Sequence, residues 1–160
     1  MIERKYLAHY IDVSFGEATY ERLGKDLEEY SLELNPDVES KQNILGENSV
    51  VVNGYEASST VEPYYCNRED ALSTHLMKIA MERLAGDDCK TTVVDVLLEA
   101  GAEGASPNAV WAYREDCVVV PESIGGDTSG VQVPFTIHRA GNRVKGQFDI
   151  STKKFTEGDL

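Results

Sequence analysis

Histidine and cysteine are the side chains that most often bind transition metals or act as nucleophiles. The chain has three of each: His9, His75, His138, Cys66, Cys89 and Cys117. No histidine begins an H-E-x-x-H motif, and no two cysteines form a C-x-x-C pair. Cys117 lies inside a strand pattern and His75 borders a helix stripe, so both are interpreted as packing residues. We therefore predict free, partly buried thiols, and no catalytic, metal-binding or cofactor-binding residue.

The glycine-rich stretch SIGGDTSGV, residues 123–131, has the composition of a phosphate-binding loop. Such a loop needs a following helix and a Lys-Ser/Thr pair, and the pattern shows neither. A G-x-S-x-G motif, which carries the nucleophile of many hydrolases, is also absent from the sequence. Trp111 and Tyr113 alternate on one predicted strand face without interleaved basic residues, which favours a core or subunit interface over a base-stacking platform.

The segment DLEEYSLELNPDVES, residues 26–40, alternates between two kinds of side chain. A period of two is typical of a β-strand whose two faces differ. The apolar set is Tyr30, Leu32, Leu34, Pro36 and Val38. The opposite set is mostly acidic and includes Glu29, Glu33, Asp37 and Glu39. The sequence therefore predicts one long strand with an apolar face and an acidic face.

The chain carries 28 acidic and 15 basic side chains, a formal net charge of -13. Nucleic acids and anionic lipids both attract clustered lysine and arginine, so we expect neither as a binding partner. The acidic balance alone is also explained by solubility. The N-terminus lacks the apolar core of a signal peptide, and no run approaches the ~20 apolar residues of a membrane span. This pattern predicts synthesis and folding in a cytoplasm.

Further strands are predicted where β-branched and aromatic residues alternate with polar ones. They cover residues 5–13, 49–65, 90–100, 109–121, 129–139 and 143–150. Residues 14–26 and 101–108 are predicted as loops, and the polar tail 152–160 as loose unless a neighbour orders it. Asn53-Gly54 is a turn signal that also fits a bulge inside a long hairpin arm.

One helix is predicted, over residues 67–86. Asn67 is its predicted N-cap, with Asp70 three residues later in the manner of a capping box, and Gly86 is the predicted left-handed residue at its end. The apolar residues at helical spacing are Leu72, Leu76, Ile79, Ala80 and Leu84. This stripe favours docking on a sheet over a groove for a partner.

The last two predicted strands can be joined by a two-residue turn at Gly141-Asn142. In that register Phe135 lies opposite Phe148, and the apolar residues of both strands share one face. Turn chemistry and hydrophobic pattern therefore agree in predicting a hairpin.

These elements predict a single, mostly-β domain, a β-sandwich or flattened barrel of about seven strands with one flanking α-helix. A chain of 160 residues suits one domain, and no internal repeat or linker is visible. Exposed strand edges invite pairing with another chain, and closing a ring removes such an edge. Long strands and an acidic strand face therefore point to self-assembly.

Several segments resemble the tail tube proteins, or major tail proteins, of tailed bacteriophages, in particular those of phages and prophages of Gram-positive bacteria. The resemblance covers nearly the whole chain in order and is carried by KYLAHYID, LGKDLEEYSLELNPDVESKQNILGE, VEPYY, KTTVVDVLLE and VWAYREDCVVVPESIGGDTSGVQVPFTIHRAGNRVKGQFDI. It implies a phage tail-tube-like fold over residues 1–160, with an adhesive arm near residues 1–5 and a flexible tail near residues 151–160. Three cysteines are not expected of the family, and the chain is too short for the extra surface domain of some relatives.

The resemblance further implies a structural virion protein and not an enzyme. Its subunits would form stacked hexameric rings around a channel that delivers the genome, with strands from each subunit in a continuous inner β-barrel. The implied partners are further copies of the chain, a tape-measure protein, a tail terminator and baseplate or tail-tip proteins. DNA would pass without specific binding. The implied location is the virion tail, assembled in the host cytoplasm.

The resemblance also suggests roles for two sets of residues. Strands near residues 27–40, 49–62, 110–121 and 130–139 would form the inner sheet. The residues expected to face the channel are Glu29, Glu33, Asp37 and Glu39. An outward-facing acidic strand that keeps tubes from bundling is the alternative. The loop expected to contact the adjacent ring comprises Asn43, Ile44, Leu45, Gly46, Glu47 and Asn48.

Two other classes of function remain open. The first is the inner tube of a contractile tail or of a headless, bacteriocin-like particle, whose outer wall must also contact a sheath. The second is a monomeric β-sandwich module that binds a ligand. An enzyme is less favoured than either, because no constellation of residues supports one.

Overall fold

The computed structural model describes residues 2–24, 30–101 and 109–158. It is mostly β, with one α-helix and a strongly curled antiparallel sheet, which confirms the predicted fold class. Glu29 and residues 102–108 of the predicted loop 101–108 lie outside the described residues.

The described residues contain twelve strands and one α-helix, so there are more and shorter strands than the sequence predicts. The strands in the first half are β1 (Leu7–Asp12), β2 (Tyr20–Leu23), β3 (Pro36–Gln42), β4 (Asn48–Tyr55) and β5 (Ser58–Val61). The helix α1 (Ala71–Glu82) follows them. The remaining strands are β6 (Lys90–Gly101), β7 (Ala109–Pro121), β8 (Gly125–Asp127), β9 (Gly130–Gln132), β10 (Phe135–Arg139), β11 (Val144–Asp149) and β12 (Lys154–Glu157). Short 3-10 turns cover Arg4–Tyr6 and Gly86–Cys89.

The main sheet has eight strands, with the path β12-β11-β7-β6-β1-β2 and with β10 joining β7 to β5. Strand β7 is 13 residues long and pairs with β6 along one edge. Along its other edge it pairs first with β11, over residues 109–114, and then with β10, over residues 117–121. One long strand therefore supports three others.

The predicted hairpin between residues 129–139 and 143–150 is wrong, because β10 and β11 each pair with β7 and lie end to end along it. The turn between them is real, with Gly141 at φ 90°, but it moves the chain along the edge of β7. The Asn142 amide hydrogen-bonds to the Asp116 carboxylate on β7, and the Ala140 N–H donates to the Asp116 carbonyl at 2.8 Å. These contacts hold the turn against the neighbouring strand.

Because the sheet curls, side chains on both of its faces are buried. On one face α1 packs over a core that includes Ile11, Val93, Val119 and Ile137. Inside the curl lies a second core around Phe148 of β11. The Phe148 ring is 4.5 Å from the Tyr10 ring and 6.0 Å from the Tyr20 ring. Since β6 and β7 separate β11 from β1 in the sheet order, these contacts close the curl.

The helix confirms the predicted stripe but differs at both ends. Leu72, Leu76 and Ile79 are buried and face the sheet. The N-cap is Asp70 and not Asn67, because the Asp70 carboxylate accepts a hydrogen bond from the Leu72 N–H at 3.1 Å. The helix ends at Arg83, which adopts the left-handed conformation at φ 51°, before Gly86 is reached.

Three further predictions need correction. The predicted loop 14–26 contains β2, which pairs with β1, because the flanking glycines hide a short strand. The predicted strand 49–65 is broken into β4 and β5.

The tail is not loose between residues 154 and 157, because β12 pairs with β11 and Phe155 packs on the second core. The Arg114 guanidinium lies 4.9 Å from the Phe155 ring and reinforces this contact.

Replacement of Leu76 by alanine tests the helix-sheet core. The Leu76 side chain is fully buried, so L76A should lower the free energy of unfolding by about 2–5 kcal/mol. Met81 lies on the solvent side of the same helix and is 68% exposed, so M81A should change the free energy of unfolding by less than about 0.5 kcal/mol. Urea denaturation followed by circular dichroism measures both. Equal effects of the two substitutions would contradict the docking of α1.

Candidate assembly surface

Strands β3 and β4 form a two-stranded sheet that is separate from the main sheet. Seven residues of β3 at ~3.4 Å each give this hairpin arm a length of roughly 24 Å. Every residue of both strands is exposed except Gly54, which is half-buried. The hairpin arm, residues 36–55, is therefore a projection that the other described residues leave exposed.

The sequence defines both ends of the hairpin arm. At its base Asn35 adopts φ 44°, and its amide donates to the Glu56 carbonyl at 3.1 Å. At its tip the Asn43 carboxamide oxygen accepts hydrogen bonds from the Leu45 and Glu47 N–H groups at 2.9 and 3.0 Å. Gly46 supplies the positive φ, 79°, that the turn requires. The arm is therefore a defined hairpin with a specific turn.

The register places a bulge within the arm. Asp37 is paired with Gly54 and Val38 with Val52, so Asn53 is the extra residue. The interpretation of Asn53-Gly54 as a bulge inside a hairpin arm is thus confirmed.

The two faces of the arm differ in chemistry, because directly opposed residues share a face. The valine face carries Val38, Val50, Val52 and Tyr55, whose exposed fractions are 53%, 68%, 51% and 61%. The acidic face carries Asp37, Glu39, Lys41, Ser49 and Val51. At the tip Ile44 is 102% and Leu45 77% exposed. The valine face is an apolar surface on which none of the described residues packs closely.

The predicted continuous acidic strand over residues 26–40 is wrong, because the positive φ of Asn35 interrupts it. Glu33 lies before this break and forms an isolated antiparallel bridge with Ser58 on β5, so it belongs beside the main sheet. Asp37 and Glu39 lie after it and share the acidic face of the arm. The ammonium group of Lys41 is 3.3 Å from the Glu39 carboxylate and reduces the local negative charge.

A second polar feature, buried in the body, was not predicted from the sequence. The Asp95 carboxylate on β6 accepts hydrogen bonds from His9 at 2.6 Å, Arg139 at 2.7 Å and Arg143 at 3.0 Å. Glu115 on β7 lies 3.6 Å from Arg139 and 3.2 Å from Arg143. We call these five residues the buried ion cluster, of which four are buried and Arg143 lies at the exposed edge. It connects β1, β6, β7 and β10 and anchors the turn that leads to β11.

Charge compensation in the buried ion cluster shifts the pKa of its central members. Burial alone would raise the pKa of Asp95, but hydrogen bonds from His9 and Arg139 and the charge of Arg139 hold it below its ordinary value. Burial alone would lower the pKa of Arg139, but the hydrogen bond to the Asp95 carboxylate and the negative charge of that carboxylate raise it. Both groups therefore stay ionised and stabilise each other in the fold.

The other candidate residues of the sequence lie where packing explains them. The His75 ring stacks on the Phe15 ring at 3.9 Å, and burial together with Lys78 lowers the pKa of His75. Cys66, Cys89 and Cys117 are free thiols, as predicted. Burial raises the pKa of Cys117 to about 12, so this thiol is protonated at neutral pH and is not an activated nucleophile.

The glycine-rich stretch near residue 126 forms the small hairpin of β8 and β9, whereas the sequence predicts no strand between residues 121 and 129. Tyr65 pairs with Gln132 beside it, and its hydroxyl donates to Asp127 at 3.3 Å. A groove of about 600 Å³ lies between β1, β2 and the start of α1 and includes Arg68 and Asp70. Its polar groups do not form a recognisable catalytic constellation.

Comparisons with known proteins do not supply a family. The chain matches no protein-family model, and a search of curated proteins gave no significant match. Within the described ranges, no three His, Cys, Asp or Glu side chains come together as a possible metal site. In the same residues no helix has the length and apolarity needed to cross a membrane. The function must be inferred from the geometry of the chain itself, in which the hairpin arm is the most distinctive feature.

Substitution of Asp95 by asparagine tests the buried ion cluster. It leaves the buried Arg139 without its main counter-charge, so D95N should lower the free energy of unfolding by roughly 3–5 kcal/mol. Asp88 is exposed and provides the control, because D88N should leave the denaturation midpoint unchanged. If D95N unfolded at the wild-type midpoint, the cluster would not be structural.

The pH dependence of the same pair of proteins provides an independent test. The folded-state pKa of Asp95 is lowered, so its stabilisation is fully present above the unfolded-state pKa of ~3.9. It is lost as the pH falls from there through the folded-state pKa. The stability difference between wild type and D95N should therefore be constant from neutral pH to about pH 5 and narrow below about pH 4. A difference that stays constant down to pH 2 would disagree with this assignment.

Proposed function

We propose that this chain is a phage tail tube protein, a structural subunit that assembles into stacked hexameric rings around a channel for the genome. The observation that carries the proposal is the hairpin arm, which exposes both faces and both edges. The resemblance of the sequence segments to tail tube proteins supports the same conclusion. The partners proposed with it are further copies of the chain, a tape-measure protein, a tail terminator and baseplate or tail-tip proteins.

The exposure of the arm is difficult to reconcile with a permanent monomer. An isolated two-stranded hairpin is marginally stable in water and needs further strands or a packed face. The valine face exposes Val38, Val50 and Val52 together, although contiguous apolar patches on soluble monomers are generally contacts for a partner. Among the described strands, β3 and β4 pair only with each other, so their outer edges present backbone donors and acceptors to a further strand. Neighbouring copies in a closed ring would cover the valine face and pair with the strand edges.

The two faces of the arm suit the two sides of a tube wall. In the proposed ring the valine face packs against protein, and Asp37 and Glu39 face the channel. An acidic wall repels DNA phosphates from all sides and leaves no deep binding well along the path. At physiological salt this repulsion extends over about 8–10 Å, which is the scale of a gap between duplex and wall. Glu33 lies off the arm, so its place in the lining depends on how copies pack.

The alternatives differ in what they require of the arm. A monomeric binding module would keep the arm exposed at all concentrations, whereas a tube subunit buries it on association. The inner tube of a contractile tail would use the arm in the same way and would also bind a sheath protein. Co-purification with a sheath protein distinguishes that particle from a non-contractile tail.

Electron microscopy of the purified chain with and without the tip tests the proposal. Wild type should form rings or filaments in negative stain, because burial of the arm drives association. Deletion of residues 41–48 should leave a folded protein that stays monomeric in analytical ultracentrifugation, with a mass below the 17.7 kDa of the full chain. Filaments of normal length from the deletion variant, or a wild type that remains monomeric at every concentration tested, would refute the assembly role. Circular dichroism confirms that the deletion variant is folded.

Site-directed biotinylation locates the acidic face in the assembled tube. In tubes of E39C, a small maleimide-biotin should react at residue 39, but streptavidin should not bind, because a channel excludes so large a protein. In the proposed ring the flanking helix α1 lies on the outer wall, so Glu82 at its exposed end provides the matched control: E82C should bind both reagents. Wild-type tubes measure the background from Cys66, which is half-buried. Streptavidin on E39C tubes at the level of E82C would place the acidic face outside.

A further inference from the structure

The Asn53-Gly54 pair at the bulge of the hairpin arm is also a chemically reactive sequence. Asparagine is one of the thermolabile residues, because the backbone nitrogen of the next residue can attack its side-chain carbonyl carbon. A following side chain hinders this attack. Glycine does not, since it has no Cβ and its backbone samples more conformations. The chain has seven asparagines, and Asn53 is the only one that glycine follows.

The structure leaves Asn53 accessible and outside the regular strand pairing. Asp37 pairs with Gly54 and Val38 with Val52, so Asn53 has no partner residue on β3. Regular pairing holds a strand backbone extended, and a bulge disrupts that pairing locally. Asn53 is exposed, and among the described residues its side chain has no hydrogen-bond partner. Neither a hydrogen bond nor close packing therefore holds its amide away from the following nitrogen.

Other asparagines of the described chain are protected in ways that Asn53 is not. Asn35 precedes a proline, whose backbone nitrogen has no hydrogen to lose. The side chain of Asn43 accepts hydrogen bonds from two backbone N–H groups of the tip. The Asn142 amide is bonded to a carboxylate of β7. Asn48 is exposed on the arm but precedes serine, which makes it an internal control for the reaction.

We propose that Asn53 is a site of spontaneous deamidation, which modifies chains whose hairpin arm stays exposed. The Gly54 nitrogen bonds to the Asn53 Cγ, and the side-chain amide leaves as ammonia together with the proton of that nitrogen. The product is a cyclic imide. Water then opens the ring at one of its two carbonyl carbons and leaves either aspartate or isoaspartate at position 53. Water is the only other reactant.

Either product changes the base of the hairpin arm. Aspartate adds a negative charge next to Val52 of the valine face and close to Asp37, which pairs with Gly54. Like charges on paired strands destabilise a hairpin, and a carboxylate opposes burial of an apolar face. Isoaspartate also adds a carbon to the main chain and displaces the pairing on one side of the bulge.

The age of an unassembled chain should therefore limit its ability to assemble. An arm buried between copies should be protected, because neighbouring strands would hold its backbone extended. This consequence depends on the proposed function, whereas the reaction at Asn53 does not.

Peptide mass spectrometry of the purified chain, held at neutral and at mildly alkaline pH, tests the reaction. Residue 53 should lose its amide while Asn48 keeps its own, and faster at the higher pH because the attacking nitrogen must lose its proton. Electron-transfer dissociation distinguishes isoaspartate from aspartate.

The matched variant is G54A. A Cβ at Gly54 would meet no atom within 4 Å, so G54A should keep the fold and slow the conversion about tenfold. Circular dichroism checks the fold. Residue 53 that keeps its amide as long as Asn48 does, or G54A that converts at the wild-type rate, would overturn the site.

Ageing before and after assembly tests the consequence. Assembled chains should convert about tenfold more slowly than dilute monomeric chains, because the backbone of a buried arm opens more rarely. N53D, which has the charge of the product, should lower the assembled fraction in sedimentation. N53Q keeps an uncharged amide and should assemble like freshly prepared wild type.

The outcomes separate this inference from the proposed function. Equal conversion in free and assembled chains, or N53D that assembles as fully as N53Q, overturns the effect on assembly. Wild type that never assembles overturns the proposed function, and conversion at residue 53 of that free chain still decides the deamidation site.

Discussion

Strand β7 carries the constraint on which the body depends, because a single edge of it must pair with two strands in succession. Between β10 and β11 the regular pairing with β7 is interrupted by a turn, which Asp116 of β7 holds through Ala140 and Asn142. The buried ion cluster lies at this junction. Arg139 ends β10, Arg143 precedes β11, and both are held by Asp95 and Glu115 on the adjoining strands. Electrostatic anchoring of the junction lets a 13-residue strand support both halves of the curled sheet.

The body and the hairpin arm are stabilised in different ways. The body buries two apolar cores, one under α1 and one inside the curl, and its central strands are covered on both faces. The arm has a well-defined base and tip but no core of its own, and its valine face is open. Residues 36–55 therefore expose an apolar surface, which neighbouring copies would cover in the proposed assembly.

The sequence predicted those elements whose signals are local. Strand β7 was predicted with its observed bounds, and the stripe of α1 was predicted correctly because helical periodicity requires no knowledge of neighbours. The β10–β11 hairpin was predicted wrongly although Phe135 and Phe148 are both buried, because each faces a different core and only the choice of partner strand decides that. The cluster around Asp95 was missed because its members are 86 and 44 residues apart in the chain, for His9 and Arg139 respectively. The break at Asn35 was missed because asparagine fits both an extended and a left-handed conformation.

The position of the hairpin arm has a consequence for any assembly built from it. The arm emerges as a single projection at one place on the body, and its two faces are chemically unlike. Copies joined by a heterologous contact, arm on body, all point the same way, so the resulting array has polarity. One end of the array would expose arms that contact no other copy, and the opposite end would expose body surfaces that contact no arm. Growth and termination at those two ends would therefore demand two unlike capping proteins.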